Sequence, residues 1–286
     1  MTTTPLRVLL LGYGGANNTG SEVRILTIID DVRAAMGDQV IITVASVSPE
    51  KTRRFLSERA NLRIARIPYV FPFAIWRLTR VHDLTLLVEG STFKDNWGSA
   101  LLYAFLWAAW CSRLHGRKCI AYAVDAGRMR PMHQRLTRHV CGGIDLLITR
   151  TEAARQRLRE TGVTRPVVVT TDPAFAFAAP APVKPQEARE TVLGLAPVEF
   201  NQWPVRIRPW GPAEQCYRWP YYFSWDEDRA KASTALVDAW AQLASHAIRQ
   251  HGVRVRLIAM EELDRRICEN ILAAIDPALH SHIDPL

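Results

Sequence analysis

No two of the five cysteines, Cys111, Cys119, Cys141, Cys216 and Cys268, are spaced as CxxC, and their number is odd. Neither a zinc site of the usual kind nor a disulfide framework is suggested by that spacing. Cys111 and Cys268 fall on helical patterns and read as core thiols in a reducing, cytoplasmic setting. No charged-then-apolar leader opens the chain, because Leu6 to Leu11 reads as a strand. No apolar run approaches the ~20 residues of a membrane span; the most apolar stretch, Ala100 to Trp110, reads as a helix buried against a sheet. The dinucleotide fingerprint GxGxxG is also missing. Gly12, Gly14 and Gly15 do not supply its third glycine, and no acid follows a second strand at the usual place, so a nicotinamide cofactor is not indicated. The absence of helix-turn-helix, zinc-finger and RNA-binding signatures argues against nucleic acid as a partner.

What is present is basic and long. The chain has 286 residues, with 36 Lys+Arg against 28 Asp+Glu, a formal excess of +8. That length accommodates two domains. Much of the excess is arginine, scattered along amphipathic segments rather than gathered in a run. Such charge suits an anionic small molecule, a polyanion or an anionic membrane surface, and makes peripheral contact with the inner membrane face an expectation.

The organising stretch is Leu86 to Gly98. An apolar run ends in Glu89-Gly90-Ser91-Thr92-Phe93-Lys94-Asp95, and an apolar-faced helix, Ala100 to Leu114, follows at once. This is the layout of a buried strand feeding a polar loop at a helix N-terminus, where ligands of parallel sheets sit. Four more junctions share the style. Arg7 to Leu11 breaks into Gly12-Tyr13-Gly14-Gly15 and Asn17 to Glu22, ahead of a helix to Met36. Lys118 to Val124 ends in Asp125-Ala126-Gly127-Arg128. Asp145 to Thr149 ends in Arg150-Thr151-Glu152, and Pro166 to Thr170 in Thr171-Asp172-Pro173. Strands at Val40–Ala45 and Leu62–Ile67, with a charged helix at Pro49–Arg59, complete a Rossmann-like α/β domain over residues 1–178. Residues 68–80 read as an aromatic, basic connection.

A Pro-rich linker at 179–190 marks the domain boundary. A partial second α/β domain, 191–286, begins with a strand at Thr191–Ala196. Within it, 201–225 is an aromatic loop carrying Trp203, Trp210, Tyr217 and Trp219 among arginines, suited to a sugar ring or a base as well as to packing. A helix from about Asp226 to Gln250, a strand at Val253–Met260, Glu261-Glu262 and a helix through Ile275 follow. Two strands are few for an independent parallel sheet.

Five blocks in order resemble the polysaccharide pyruvyl transferase family: Gly12-Tyr13 through Asn18-x-Gly20-x-Glu22, Glu89 to Asp95, Tyr122-x-x-Asp125-x-Gly127, Asp145 to Arg150, and Thr171 to Phe175. The resemblance covers about residues 7 to 178 well. It implies two Rossmann-like domains facing across a cleft, as in GT-B glycosyltransferases. It also implies transfer of a pyruvyl group from phosphoenolpyruvate to a sugar of a cell-surface polysaccharide or its lipid-linked precursor, with no metal or further cofactor. There are departures. The family commonly has an acid where this chain has Ser21, and a glycine where it has Glu89. The family's Arg-(Leu/Tyr)-His element, expected late in the second domain, has no counterpart; Arg113-Leu114-His115 falls on a first-domain helix. The chain thus looks like a member cut short in its second domain, expected to be weak or inactive by itself.

Ketal formation from an enol phosphate needs a proton for the methylene carbon, partners for carboxylate and phosphate, and an oriented sugar hydroxyl. Asp95 and Glu89 are the candidates to orient or deprotonate the acceptor. Arg150 is the candidate for the donor's anion, or else a structural ion pair. Asn18, Gly20, Ser21 and Glu22 of the first loop, and Gly90, Ser91, Thr92, Lys94, Asp125 and Asp172, complete the candidate substrate-binding set. Two other readings stay open: a GT-B glycosyltransferase using a nucleotide sugar, and a non-catalytic carbohydrate-binding remnant.

Overall fold

A computed structural model describes residues 5–178 and 191–284. The first of two compact units holds the residues up to Phe177 together with Pro204–Phe223. Its elements alternate: β1 (Arg7–Gly14), α1 (Thr19–Met36), β2 (Ile41–Ser46), α2 (Pro49–Thr52), β3 (Leu62–Arg66), α3 (Pro72–Val81), β4 (Leu84–Leu87), α4 (Ser99–Leu114), β5 (Lys118–Val124), α5 (Pro131–Cys141), β6 (Leu146–Thr149), α6 (Glu152–Glu160) and β7 (Val167–Val169). The strands form one parallel sheet in the order β3-β2-β1-β4-β5-β6-β7.

The central strand shows why the sheet has helices on both faces. Val8 and Leu10 point one way, into a cluster with Ile25, Ile28 and Val32 of α1. Leu9 and Leu11 point the other way, among Ile75 of α3, Leu102 and Phe105 of α4 and Val140 of α5. Both sides of the strand are therefore dry, which is why it reads as a continuous apolar run. Each such buried aliphatic side chain contributes roughly 1.5–3 kcal/mol.

The helices start where local chemistry permits. Asn18 caps α1 by accepting from the Ser21 N–H, and Thr151 caps α6 by accepting from the Ala154 N–H at 3.1 Å. Pro72 and Pro131 open α3 and α5, where a missing N–H is harmless. Two expectations need correction. The charged helix expected over Pro49–Arg59 is confined to α2. The connection at 68–80 contains α3, whose Ile75 is buried and Leu78 packed against the core on one face.

The second unit has its own parallel sheet, β13-β12-β8, built from β8 (Val192–Leu195), β12 (Arg254–Leu257) and β13 (Ile283–Asp284). It packs on α7 (Glu227–His251) and α8 (Asp264–Ala274) through Leu195, Ala244, Ile248, Val255, Ile267 and Ile271. Asp226 caps α7, and Gly252 ends it in the left-handed region at φ 61°. The pairing of Val255 with Ile283 adds a third strand to the two read from sequence.

The aromatic segment does not belong to this unit. β9 (Arg206–Ile207), β10 (Cys216–Arg218) and β11 (Tyr221–Tyr222) form a small antiparallel sheet that folds with the first unit. The Val205 N–H donates to the Trp97 carbonyl at 3.2 Å, the Tyr13 and Tyr217 hydroxyls meet at 2.6 Å, and the Tyr221 hydroxyl donates to the Tyr69 carbonyl at 2.6 Å. These contacts lay it over the end of β1 and the loops that follow β3 and β4. The Pro-rich linker at 179–190 lies outside the described residues.

Candidate functional site

The order in which strands are added to the sheet reverses between β1 and β4, and crevices at such switch points take ligands. Glu89, in the turn after β4, clasps the end of β1 and the first turn of α1. Its Oε2 accepts from the Tyr13 N–H at 3.0 Å and the Ser21 hydroxyl at 3.1 Å, and its Oε1 accepts from the Gly90 N–H at 2.9 Å. The buried Thr92 hydroxyl donates to the Glu89 carbonyl at 2.6 Å and tightens the turn. A carboxylate this well hydrogen-bonded tolerates burial.

Next along the edge lies a ladder of alternating charge. Lys94 Nζ reaches Asp125 Oδ2 at 2.7 Å, and Arg150 Nη2 reaches the same oxygen at 3.1 Å. Arg150 Nη1 donates to Asp172 Oδ2 at 2.6 Å, and Arg24 Nη1 to Asp172 Oδ1 at 2.6 Å. Arg24 is buried, and its Nη2 also donates to the carbonyls of Val88 at 3.0 Å and Ala123 at 2.9 Å. Its Nε is buried without a partner among the described residues. One guanidinium from α1 therefore fixes the ends of β4 and β5 and the turn after β7. Burial pushes the Asp125 and Asp172 carboxyls up, but the surrounding donors and cations win and hold both below the usual range. Burial opposes charge on Arg150 too, yet Asp172 and Asp125 raise it above the ordinary guanidinium value. A Cβ at Gly90 would stand 2.9 Å from Arg150 Nη1 and would displace that end of the guanidinium. Three cations and two carboxylates leave the ladder nearly compensated, with both Arg150 Nη atoms already engaged.

Asp95 sits apart from the ladder. Its Oδ2 accepts from the Arg130 N–H at 2.9 Å and from His133 Nδ1 at 2.6 Å, with Arg130 Nε at 3.5 Å. His133 is fully buried on α5. Its Nε2 faces the Tyr103 hydroxyl at 2.9 Å and Arg130 Nη2 at 3.4 Å. A carboxylate oxygen can only accept, so His133 Nδ1 carries a proton pointed at Asp95. Burial works to raise the Asp95 carboxyl, and the Arg130 N–H, His133 and the Arg130 charge bring it below the usual range. Oδ1 carries no hydrogen bond among the described residues, which leaves an ionised oxygen, oriented through its twin, open to a hydroxyl.

The sequence-based candidates thus separate into groups. Ser21, Glu89, Gly90 and Thr92 form the clasp; Lys94, Asp125, Arg150 and Asp172 form the ladder; Asp95 stands in its own relay. Asn18 acts as a helix cap, Gly20 is exposed in the first turn of α1, and Ser91 is half-buried. Glu22 is also half-buried, and burial raises its carboxyl despite the opposing charge of Arg54. Sequence reasoning missed Arg24, His133 and Tyr103. Arg24 carried one usable signal, a charged residue on the apolar face of α1 next to Ile25 and Ile28. No group of three or more His, Cys, Asp or Glu side chains placed to hold a metal occurs among the described residues.

Fold and edge together define a GT-B-like α/β protein. Similar solved structures include a putative UDP-N-acetylglucosamine 2-epimerase from Listeria monocytogenes, with 8% identity and a TM-score of 0.54 over 98% of this chain and 71% of that one. The S. aureus MnaA-UDP co-structure gives 10% identity and a TM-score of 0.56 over 99% and 68%. No curated protein sequence matches the chain. The sequence model of the polysaccharide pyruvyl transferase family matches residues 23–284, and the chain belongs to that family of transferases.

Proposed function

We propose that this protein transfers a pyruvyl group from phosphoenolpyruvate to a sugar of a cell-surface polysaccharide or of its lipid-linked precursor. The family match over residues 23–284 carries the reading. Asp95 orients and deprotonates an acceptor hydroxyl through Oδ1, while His133 and the Arg130 N–H hold Oδ2. The hydroxyl oxygen adds to the central carbon of the enol phosphate, the methylene carbon takes a proton, and inorganic phosphate leaves as a second hydroxyl closes the ketal. Because the ladder is internally paired, Lys94 and Arg150 meet the donor's anion only by exchanging a carboxylate partner for it. The reaction is cytoplasmic, on the side of the membrane where phosphoenolpyruvate is made.

The test is calorimetric titration of the full chain with phosphoenolpyruvate and, separately, with UDP. Phosphoenolpyruvate should bind, and Asp95→Asn should leave that binding within about threefold while abolishing acceptor-dependent phosphate release. Losing a general base typically lowers the rate by about 10²–10⁴-fold. Binding of UDP with none of phosphoenolpyruvate would replace this reading with nucleotide-sugar chemistry.

A further inference from the structure

The helices α3, α4 and α5 contain no Asp or Glu. Soluble helices usually mix both signs on their wet faces. These three lie side by side on one face of the large sheet, since Ile75, Phe105 and Val140 enter one core cluster. Trp107 Nε1 donates to the Pro72 carbonyl at 2.8 Å and joins α4 to α3, while Tyr103 and His133 join α4 to α5. Several of the arginines that appear scattered in the sequence belong to these three helices. Arg77, Arg80, Arg113, Arg135 and Arg138 are all exposed, and none forms an ion pair with a carboxylate among the described residues.

Apolar side chains are interleaved with this charge. Phe73 is 71% exposed, Met132 64%, Leu114 57% and Trp110 37%. Phe73 stacks on Trp76 at 6.1 Å, Arg80 lies 5.6 Å above the Trp76 ring, and Trp107 meets Trp110 at 5.1 Å. The surplus is felt locally, for burial, Arg80 and Arg117 together hold His115 below the usual imidazole range. Phe73 and Met132 stand at the N-terminal ends of α3 and α5, the same edge of the sheet as Asp95.

We infer that the α3–α4–α5 face is a docking surface for an anionic lipid bilayer. Charge complementarity selects the partner: five unpaired arginines match acidic headgroups, each adding attraction within a Debye length of the surface. Exposed tryptophan and phenylalanine on the same helices as the arginines match the boundary between headgroups and acyl chains, where amphipathic rings partition. Arginine stems can lie along apolar surface with the charge kept wet. An acidic protein or soluble polyanion would satisfy the charge but leave the rings without a role. The inference does not depend on the pyruvyl-transfer reading, although it would bring the Asp95 edge near a lipid-linked acceptor.

The test is co-sedimentation of the full chain with phosphatidylcholine vesicles, with and without phosphatidylglycerol, in the absence of donor and acceptor. Binding should require phosphatidylglycerol and weaken steeply with salt. The variant Arg77→Glu/Arg80→Glu/Arg135→Glu should lose at least about tenfold in partitioning with an unchanged circular dichroism melt. Phe73→Ser/Trp110→Ser should weaken binding severalfold without changing its salt dependence. If the triple reversal perturbs folding, the neutral variant Arg77→Gln/Arg135→Gln gives the same readout. Failure to sediment with phosphatidylglycerol at low salt, or equal binding by the charge variants, overturns the inference. So does an unchanged Phe73→Ser/Trp110→Ser variant that soluble polyphosphate displaces from the vesicles, since that identifies a polyanion contact.

Discussion

At the scale of residues, two departures from the family pattern meet in space. Ser21, where the family commonly has an acid, donates to Glu89, where it commonly has a glycine. The carboxylate sits on the β4 side of the contact instead of the α1 side. Ser21→Asp alone would place two carboxylates together, and Glu89→Gly alone would strand the Tyr13 and Gly90 N–H groups. The double variant should therefore be more stable than the sum of its parts, by about 0.5–3 kcal/mol in a urea double-mutant cycle. Strict additivity would show that the two changes are independent. Arg24 offers a second test. Arg24→Met keeps the stem, but Asp172 loses one of its two cations and the Val88 and Ala123 carbonyls lose their guanidinium donor. Because Arg150 and the Ala174 N–H still serve Asp172, the loss should cost about 1–3 kcal/mol, read from the urea midpoint. Neither Arg24 nor His133 could be assigned from sequence, because their partners lie 148 and 38 positions away. Glu89 and Asp125 stand out in the sequence because each comes within two residues of the end of an apolar strand, whereas Asp95 lies farther along the loop after β4.

At the scale of elements, the parallel strands were legible for the same reason, and Lys118–Val124 has the bounds its pattern predicts. Helix α3 was obscured by aromatics and arginines whose exposed face breaks the apolar stripe. The antiparallel segment carries no alternating pattern, because β9 and β11 have two residues each and the partner surface is supplied by Tyr13, Tyr69 and Trp97. Its attachment can be tested locally. Tyr221 is buried, and its hydroxyl serves the Tyr69 carbonyl. Tyr221→Phe should cost about 1 kcal/mol. Hydrogen exchange should quicken over Arg206–Tyr222 while the strands of the large sheet keep their protection. A uniform loss of protection would mean that the segment is integral to the sheet's folding rather than laid upon it.

At the scale of the whole molecule, one carboxyl of the second unit, Asp264, responds to pH in the direction opposite to the site carboxyls of the first. In the first unit Asp95, Asp125 and Asp172 are held below the usual carboxylate range. Their contribution is complete above the unfolded value near pH 4 and is lost as pH falls through the depressed folded values. In the second unit burial, aided by the charge of Glu261, pushes the Asp264 carboxyl up to about 6, against the Glu261 and Met260 N–H groups that favour its ionised form. Here the folded state keeps a proton that the unfolded chain has released. Stability from this group is present below about pH 4, declines as pH rises, and is gone above about pH 6. The displacement corresponds to roughly 3 kcal/mol at most. Scanning calorimetry at pH 5 and pH 8 should show the second unit melting at lower temperature in the more alkaline buffer. Asp264→Asn, which keeps an acceptor for the Glu261 N–H, should melt alike at both. A parent transition indifferent to pH over this range, or an Asn variant that follows the parent, would place the Asp264 carboxylate in a site that solvates its charge.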